Sequence, residues 1–463
     1  MTSSAEPTPA VAIPTSGAEP RAALGGVREV SRLAYPVVLT QISITLTQLV
    51  DSAMVGRLGA TELAAVGFGG IWMWTAMCFF IGTATAVQTF VSQHHGAGEE
   101  RDCGGWSWQG LYAVLPMAVV VAFALLFGAE PLMRWLGPSE ELQPLASVYV
   151  STRALGAIGL TAATCFGAFF RGIGDTRTPL YAMVLANVVN AVLDYGLIFG
   201  RLGLPQWGVA GAGVATAIAE WIYLFALLAA LSRPRMSRAF ITAPVRFSLG
   251  KVRRLLSTGL PIGGQWCLEM TSFAAFTTLV ARMGDAPMAA SQAFVMLLAL
   301  SFMQCIGISI AVATLVGRYI GAGELDAAQR SFGSGMLLGL GLAGGIAVLY
   351  VAIPEQLLRI FTDDPAVLAL ARPLLLVGAV FQLFDAFAIV ADGALRGAGD
   401  TRWPFFVRFA LAWGLFLPLG WLFGFYFEGG LTGAWIGGLI YVLALALVLV
   451  LRFRSGAWRK IQI

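Results

Sequence analysis

Residues 378–404 read GAVFQLFDAFAIVADGALRGAGDTRWP. The stretch begins as an apolar helix with Asp385 and Asp392 inside it, and it closes in a Gly-rich, charged turn. That turn has a twin. ALRGAGDTRWP at 394–404 matches FFRGIGDTRTP at 169–179, sharing Arg171/Arg396, Gly172/Gly397, Gly174/Gly399, Asp175/Asp400, Thr176/Thr401, Arg177/Arg402 and Pro179/Pro404, each pair 225 residues apart. The same spacing relates Gly96-Ala97-Gly98-Glu99 to Gly321-Ala322-Gly323-Glu324, Arg57 and Gly59 to Arg282 and Gly284, and Pro36 to Pro261. One spacing at several separated places marks an internal duplication. Near the end the spacing shortens to 222, where GVAG at 208–211 aligns with GLTG at 430–433.

Outward from this turn, the chain is long apolar runs joined by short loops. Hydrophobic residues make up 58% and charged residues 12% of the sequence, about half the charged share of a soluble domain. This composition predicts an all-α integral membrane protein. Twelve spanning helices are expected near 29–53, 61–91, 106–128, 145–171, 178–200, 208–231, 252–281, 287–317, 328–352, 367–396, 403–427 and 430–452. The predicted organisation is a disordered tail at 1–27, a first lobe at 28–231, a basic linker at 232–251, a second lobe at 252–452 and a basic tail at 453–463.

The positive charges sit in a few loops, so the net charge of +4 points to orientation in a bilayer and not to nucleic acid. Arg233, Arg235, Arg238, Arg246 and Lys251 crowd the linker, and Arg452, Arg454, Arg459 and Lys460 crowd the C-terminal end. Both termini are therefore expected in the cytoplasm. Six spans per half make the halves parallel repeats about an axis along the membrane normal. The Pro/Ala/Thr-rich start lacks a basic and apolar signal, so no cleaved leader is expected. No GxxxxGK[ST] occurs, which argues against ATP as the energy source. The five cysteines (78, 103, 165, 267, 305) show no metal or redox spacing and read as small buried side chains. His94 and His95 fall at a loop and read as solvated.

Acids inside apolar helices are the chemical signal. A carboxylate at a helix centre costs about 2.5–3.5 kcal/mol on insertion scales, so it persists where it faces a cavity, pairs or works. Five acids lie deep in the predicted spans: Asp51, Asp194, Glu220, Glu269 and Asp385. Glu269, in PIGGQWCLEMT, has no basic neighbour in sequence and reads as a proton carrier; Gln265 lies one turn before it. Asp392 has Arg396 at i+4 and reads as half of a structural pair. Asn190 and Asp194 lie one turn apart and, with Asp51 and Thr216 from other helices, would offer hard oxygen donors to a small cation or a proton. Thr216 alone equally suits helix packing. Glu220, one turn past Thr216, fits either a buried pair or a relay. The acids break the repeat: by the 225 spacing Asp51 falls on Phe276, Glu269 on Ile44 and Asp385 on Leu160. No Ser/His/Asp or Cys/His set suggests an enzyme.

Taken together, these residues resemble the multidrug and toxic compound extrusion (MATE) family, over nearly all of 28–452. The resemblance rests on Pro36 with VDSAMVGRLG at 50–59, on Pro261 with Glu269, and on the twin turns. It implies two six-helix lobes around a cleft that opens to each side in turn. It implies export of organic, often cationic, compounds against entry of Na⁺ or H⁺, by a monomer in the bacterial inner membrane, with no other cofactor. It places the second-lobe cation acids at Glu269 and Asp385, and the first-lobe site, a candidate Na⁺ site, at Asp51, Asn190, Asp194 and Thr216. The glutamate is typical of the NorM-like branch, and the Asn/Asp/Thr set of the DinF-like branch. Phe381 stands one turn before Asp385, where NorM-like members often carry a tyrosine; the lost hydroxyl favours H⁺. Gln265, Phe381 and Glu220 are candidates for lining the cleft. The alternative within transport, a flippase for lipid-linked saccharides, would want basic residues in the cleft, and among the buried charges Arg153 is the exception that could supply one.

Overall fold

The computed structural model of the chain describes residues 24–461 apart from residue 363. Residues 1–23 of the expected tail thus lie outside the described residues. Among the described residues there is helix and no strand. The first half holds α1 (Val27–Gly56), α2 (Ala60–Ala84), α3 (Ala86–Gly96), α4 (Glu100–Leu136), α5 (Leu142–Gly172), α6 (Arg177–Phe199) and α7 (Val209–Leu231). A short α8 (Pro234–Phe240) lies in the linker. The second half holds α9 (Leu249–Ala281), α10 (Asp285–Gly321), α11 (Leu325–Ala352), α12 (Pro354–Leu358), α13 (Pro365–Gly397), α14 (Arg402–Leu411), α15 (Leu417–Trp421) and α16 (Gly430–Arg454). Two π-helical turns, Ala412–Phe416 and Leu422–Tyr426, flank α15. Pro418 begins that piece without an N–H to give, which breaks the regular i→i−4 ladder there.

Among the described residues, eleven helical segments are long and apolar enough to cross a membrane, against twelve expected. The difference is α9: its 33 residues suffice in length, but Gln265, Glu269 and a run of small polar residues dilute its hydropathy. The 225 spacing recurs in the element bounds. Ala60–Gly96 answers to Asp285–Gly321, and α6 begins at Arg177 where α14 begins at Arg402. The twin turns do the same job twice: Gly174 and Gly399 adopt φ of +87° and +82°, which favour glycine. Asp175 then caps its turn by accepting from the Thr178 N–H at 3.0 Å, whereas Asp400 accepts from Arg452 at 2.8 Å.

The halves meet along a seam that is reciprocal. Gly82 of α2 packs on Gly263 of α9, and Gly307 of α10, 225 residues after Gly82, packs on Val38 of α1, 225 before Gly263. Gly96 meets Arg318, and Gly321 meets Gln93. The Thr89 hydroxyl donates to the Arg396 carbonyl at 2.9 Å, and the Thr314 hydroxyl to the Arg171 carbonyl at 3.1 Å. Such exchange of equivalent partners is what a two-fold relation produces. Glycine at the crossings lets backbones approach closely, as in other membrane bundles.

The seam occupies one end of the molecule. Among the described residues, hydrogen bonds between the two sets of helices join positions 25–41, 78–93, 102 and 171 to positions 251, 267 and 303–397. The linker is strapped to α4 at the same end. Trp108, Gln109 and Tyr112 donate to the carbonyls of Thr242, Arg246 and Val245 at 2.9, 2.7 and 2.9 Å. Trp458, in the expected basic tail, is buried and stacks on Phe453.

Candidate functional site

Two clusters of charged side chains lie inside the helices, one in each half. In the second half Glu269 comes from α9, Asp385, Asp392 and Arg396 from α13, and Arg408 from α14. The Arg408 guanidinium contacts the Glu269 carboxylate directly and lies 3.8 Å from Asp392. Asp392 also receives Arg396 at 3.2 Å, so it is shared between two arginines. Asp385 stands near enough to feel both Glu269 and Arg408, but makes no ion pair among the described residues. Tyr441 of α16 completes the surround. Burial orders the members: the side chains of Arg408 and Asp392 are 10% and 13% exposed, and that of Glu269 is 35% exposed. Glu269 is therefore the open mouth of the cluster and Arg408 its buried centre.

Glu269 has no basic neighbour in sequence, as read, yet it has a counter-charge in space, 139 residues away in the chain. The residue missed was Arg408, in the run RWPFFVRFAL. A lone arginine in an apolar helix carries the same signal as a lone acid. Asp392 pairs with Arg396 as the i+4 spacing predicts, and Arg408 joins that pair to Glu269.

The candidates for the cleft are placed as follows. Gln265 is buried, and its amide donates to the Thr401 carbonyl at 3.4 Å, in the twin turn. Phe381 belongs to an aromatic cluster; its ring is 6.3 Å from Trp435. Phe276, the counterpart of Asp51, is buried in the same cluster, 4.8 Å from Phe416 and 4.9 Å from Trp435. Where the first half keeps an acid, the second is filled with rings.

In the first half, Asp51 of α1 and Asp194 of α6 bring their carboxyl groups beside each other without a well-formed hydrogen bond between them. Asn190 stands beside Asp194, without a well-formed hydrogen bond to it. Both oxygens of Asp194, Oδ1 of Asp51 and both amide atoms of Asn190 are buried with no partner. The Thr216 hydroxyl donates to its own helix at the Ala212 carbonyl, 2.9 Å away. No hydrogen bond joins Thr216 to the acids among the described residues. Glu220 of α7 pairs with Arg153 of α5 at 3.2 Å, and Arg153 also donates to the Tyr149 hydroxyl at 3.2 Å. Of the two readings left open for Glu220, this geometry is the buried pair.

His94 and His95 are not solvated: they sit half-buried on the last turn of α3, where His94 Nδ1 lies 2.8 Å from the Phe90 carbonyl. The cysteines are buried as expected except Cys267, which is half-buried. The sulfurs of Cys78 and Cys267 face each other across the seam at 3.5 Å.

An all-helical bundle built twice, joined by a reciprocal seam and holding charged clusters within its apolar helices, defines a multi-pass membrane transporter. The sequence model of the MatE family matches twice, at residues 36–196 and 261–422, so the matches begin 225 residues apart. The chain belongs to the MatE family. It is 31% identical over 446 residues to the probable multidrug resistance protein NorM of Chromobacterium violaceum, covering 94% of this chain and 95% of that one. It is 30% identical to the multidrug resistance protein PmpM of Pseudomonas aeruginosa, covering 94% and 93%. Among solved structures it shares its fold with a multidrug resistance MATE transporter in an outward-facing conformation, at a TM-score of 0.86 and 20% identity, covering 94% of this chain and 97% of that one. A eukaryotic MATE transporter, AtDTX14, follows at 0.82 and 19%, covering 94% and 96%.

Proposed function

We propose that this chain is a secondary active multidrug antiporter. It exports organic, often cationic, compounds in exchange for H⁺ or Na⁺ by alternating access of two lobes. The observation that carries this is the charge balance of the second-half cluster. Three carboxylates (Glu269, Asp385, Asp392) face two guanidiniums (Arg396, Arg408), joined by the contacts already described. The excess is one negative charge, and one bound proton or cation neutralises it. Binding that cation and binding a cationic cargo in the same cleft bias it in opposite directions, which is what exchange requires.

The first-half acids support a second cation station. Unpartnered buried oxygens on Asp51, Asn190 and Asp194 suit a small cation or a shared proton. Counting α9 as a span gives twelve, with both termini in the cytoplasm. The seam lies at the end that carries the basic linker, so this arrangement is the one open to the outside. The seam's glycines and threonines would part, and the opposite ends would close, in the inward-open arrangement. The Arg153–Glu220 pair neutralises an arginine inside the first half that could have met a pyrophosphate, and this favours drug export over the flippase reading.

The test is transport by the purified monomer in liposomes, with a fluorescent organic cation as cargo and an imposed pH or Na⁺ gradient. Accumulation driven by one of the gradients is expected. Equal cargo on both sides under either gradient would overturn the reading.

A further inference from the structure

An apolar groove of about 830 Å³ runs along the outside of the second half. Its floor is Phe384 and Phe387 of α13, one wall is Phe332 and Met336 of α11, and the other is Leu447 on α16 with Arg454 at the end. All three helices are long and apolar enough to cross the membrane, and Leu447 in the lining is exposed, so with these helices in the bilayer the groove would face lipid. Its lining on α16 extends from Ile440 to Arg454. Fourteen residues at 1.5 Å each make roughly 21 Å, enough for the ~15 Å hydrocarbon depth of one leaflet plus the start of the headgroup layer.

The end at Arg454 is charged. Arg452 is committed to Asp400 at 2.8 Å and to the Trp403 ring at 4.9 Å. Arg459 lies over Trp458 at 5.6 Å. Arg454 is exposed and makes no ion pair among the described residues. An uncommitted guanidinium at the mouth of an acyl-sized groove complements a phosphodiester, which it can bind in bidentate fashion. The Gln329 amide lines the same end and adds a neutral donor.

We propose that this groove is a binding site for an anionic phospholipid, with an acyl chain along Phe384, Phe387 and Leu447 and its phosphate at Arg454. The site is separate from both acid clusters, and its test does not require transport. Gly333 supplies a clean variant, because a side chain there would enter open space. Gly333→Leu adds an apolar side chain to the groove lining from a position where a Cβ meets nothing within 4 Å. Gly345→Leu, equally open on the other side of α11, is the control.

The measurement is phospholipid retained per chain after extended detergent washing, by mass spectrometry, with the protein pre-equilibrated in mixed phosphatidylglycerol and phosphatidylcholine vesicles. The wild type should retain phosphatidylglycerol over phosphatidylcholine by about fivefold, the equivalent of ~1 kcal/mol per surface arginine. Arg454→Gln should retain lipid without that preference. Gly333→Leu should lose it, and Gly345→Leu should match the wild type. Equal retention by wild type and Gly333→Leu would overturn the proposal, as would a wild type indifferent to the headgroup. Lipid retained only after deletion of residues 1–23 would assign the groove to that segment and overturn it as well.

Discussion

Glu269→Gln is the sharpest perturbation, because it changes charge and little else. The buried cluster would pass from three carboxylates against two guanidiniums to two against two. It would then be balanced without a cation. The structural cost is bounded. Stripping a buried arginine of its only partner costs about 3–5 kcal/mol. Arg408 keeps Asp392 at 3.8 Å, the glutamine oxygen can still accept from it, and the lost carboxylate was 35% exposed. The expected loss of stability is about 1–2 kcal/mol, the scale of a weakened hydrogen bond to a charged group. The functional cost is larger. One proton moving down one pH unit supplies about 1.4 kcal/mol, a tenfold cargo gradient at one proton per cargo. Across about two pH units the wild type should therefore hold cargo roughly a hundredfold out of balance, and Glu269→Gln should hold none. The assay is cargo accumulation in liposomes under an imposed pH or Na⁺ gradient, with cargo–cargo exchange measured beside it to show that the variant folds and binds. Gradient-driven accumulation by Glu269→Gln at the wild-type level would show that the second-half cluster does not carry the ion.

Four other outcomes can be checked. Arg408→Gln leaves three carboxylates with Arg396 alone and should destabilise the protein by about 3–5 kcal/mol; the double variant with Glu269→Gln should recover part of this, and additive losses in thermal unfolding would deny the coupling. Asp194→Asn should abolish stabilisation by Na⁺ or by acidification at the first-half site, seen in the same unfolding assay; an unchanged response would remove Asp194 from that site. Oxidising Cys78 and Cys267, 3.5 Å apart across the seam, with a copper–phenanthroline oxidant should join the two thiols as a disulfide, with the two electrons passing to the oxidant. Transport should then stop and return on reduction; full cross-linking with unimpaired transport would mean that the seam does not part there. Gly82→Leu places a side chain where even a Cβ would lie 2.9 Å from the Gly263 Cα, so it should open the seam and slow that cross-linking severalfold, as overpacking by about 1–3 kcal/mol would do.

The sequence announced its duplication because the twin turns need the same residues twice: Gly174 and Gly399 answer one backbone demand, and Asp175 and Asp400 sit at equivalent places. Helix positions were legible for a similar reason, since apolar length is a local property. What stayed hidden was partnership. Chemistry and the family resemblance place Asp51 and Asp194 in one site, yet how closely their carboxyl groups approach depends on how α1 crosses α6. Arg408 was visible as a charge in an apolar run, yet its tie to Glu269 depends on α14 packing beside α9. The Cys78–Cys267 pair, 189 residues apart in sequence, has no motif to betray it. At α9, expected as a span, the residues that serve the polar cluster are the ones that lower the apolar signal, and the helix falls outside the eleven apolar segments found among the described residues.

For the proposed exchange, the ring cluster of the second half has a consequence for economy of the ion gradient. An exporter that lets protons slip through without cargo is a short circuit. By the repeat spacing, Phe276 occupies the place of Asp51, and it is walled in by Phe416 and Trp435. Glu269 lies seven residues before Phe276 on α9, roughly 10 Å along the helix axis. The two halves thus hold their carboxylates at staggered depths, and the second half is sealed by hydrocarbon beyond its own. Among the described residues no acid of α9 stands at the level of these rings, so on the proposed reading a proton taken up at Glu269 would wait for the lobes to move. Filling one acid's position with aromatic rings turns a duplicated chain into an insulated one.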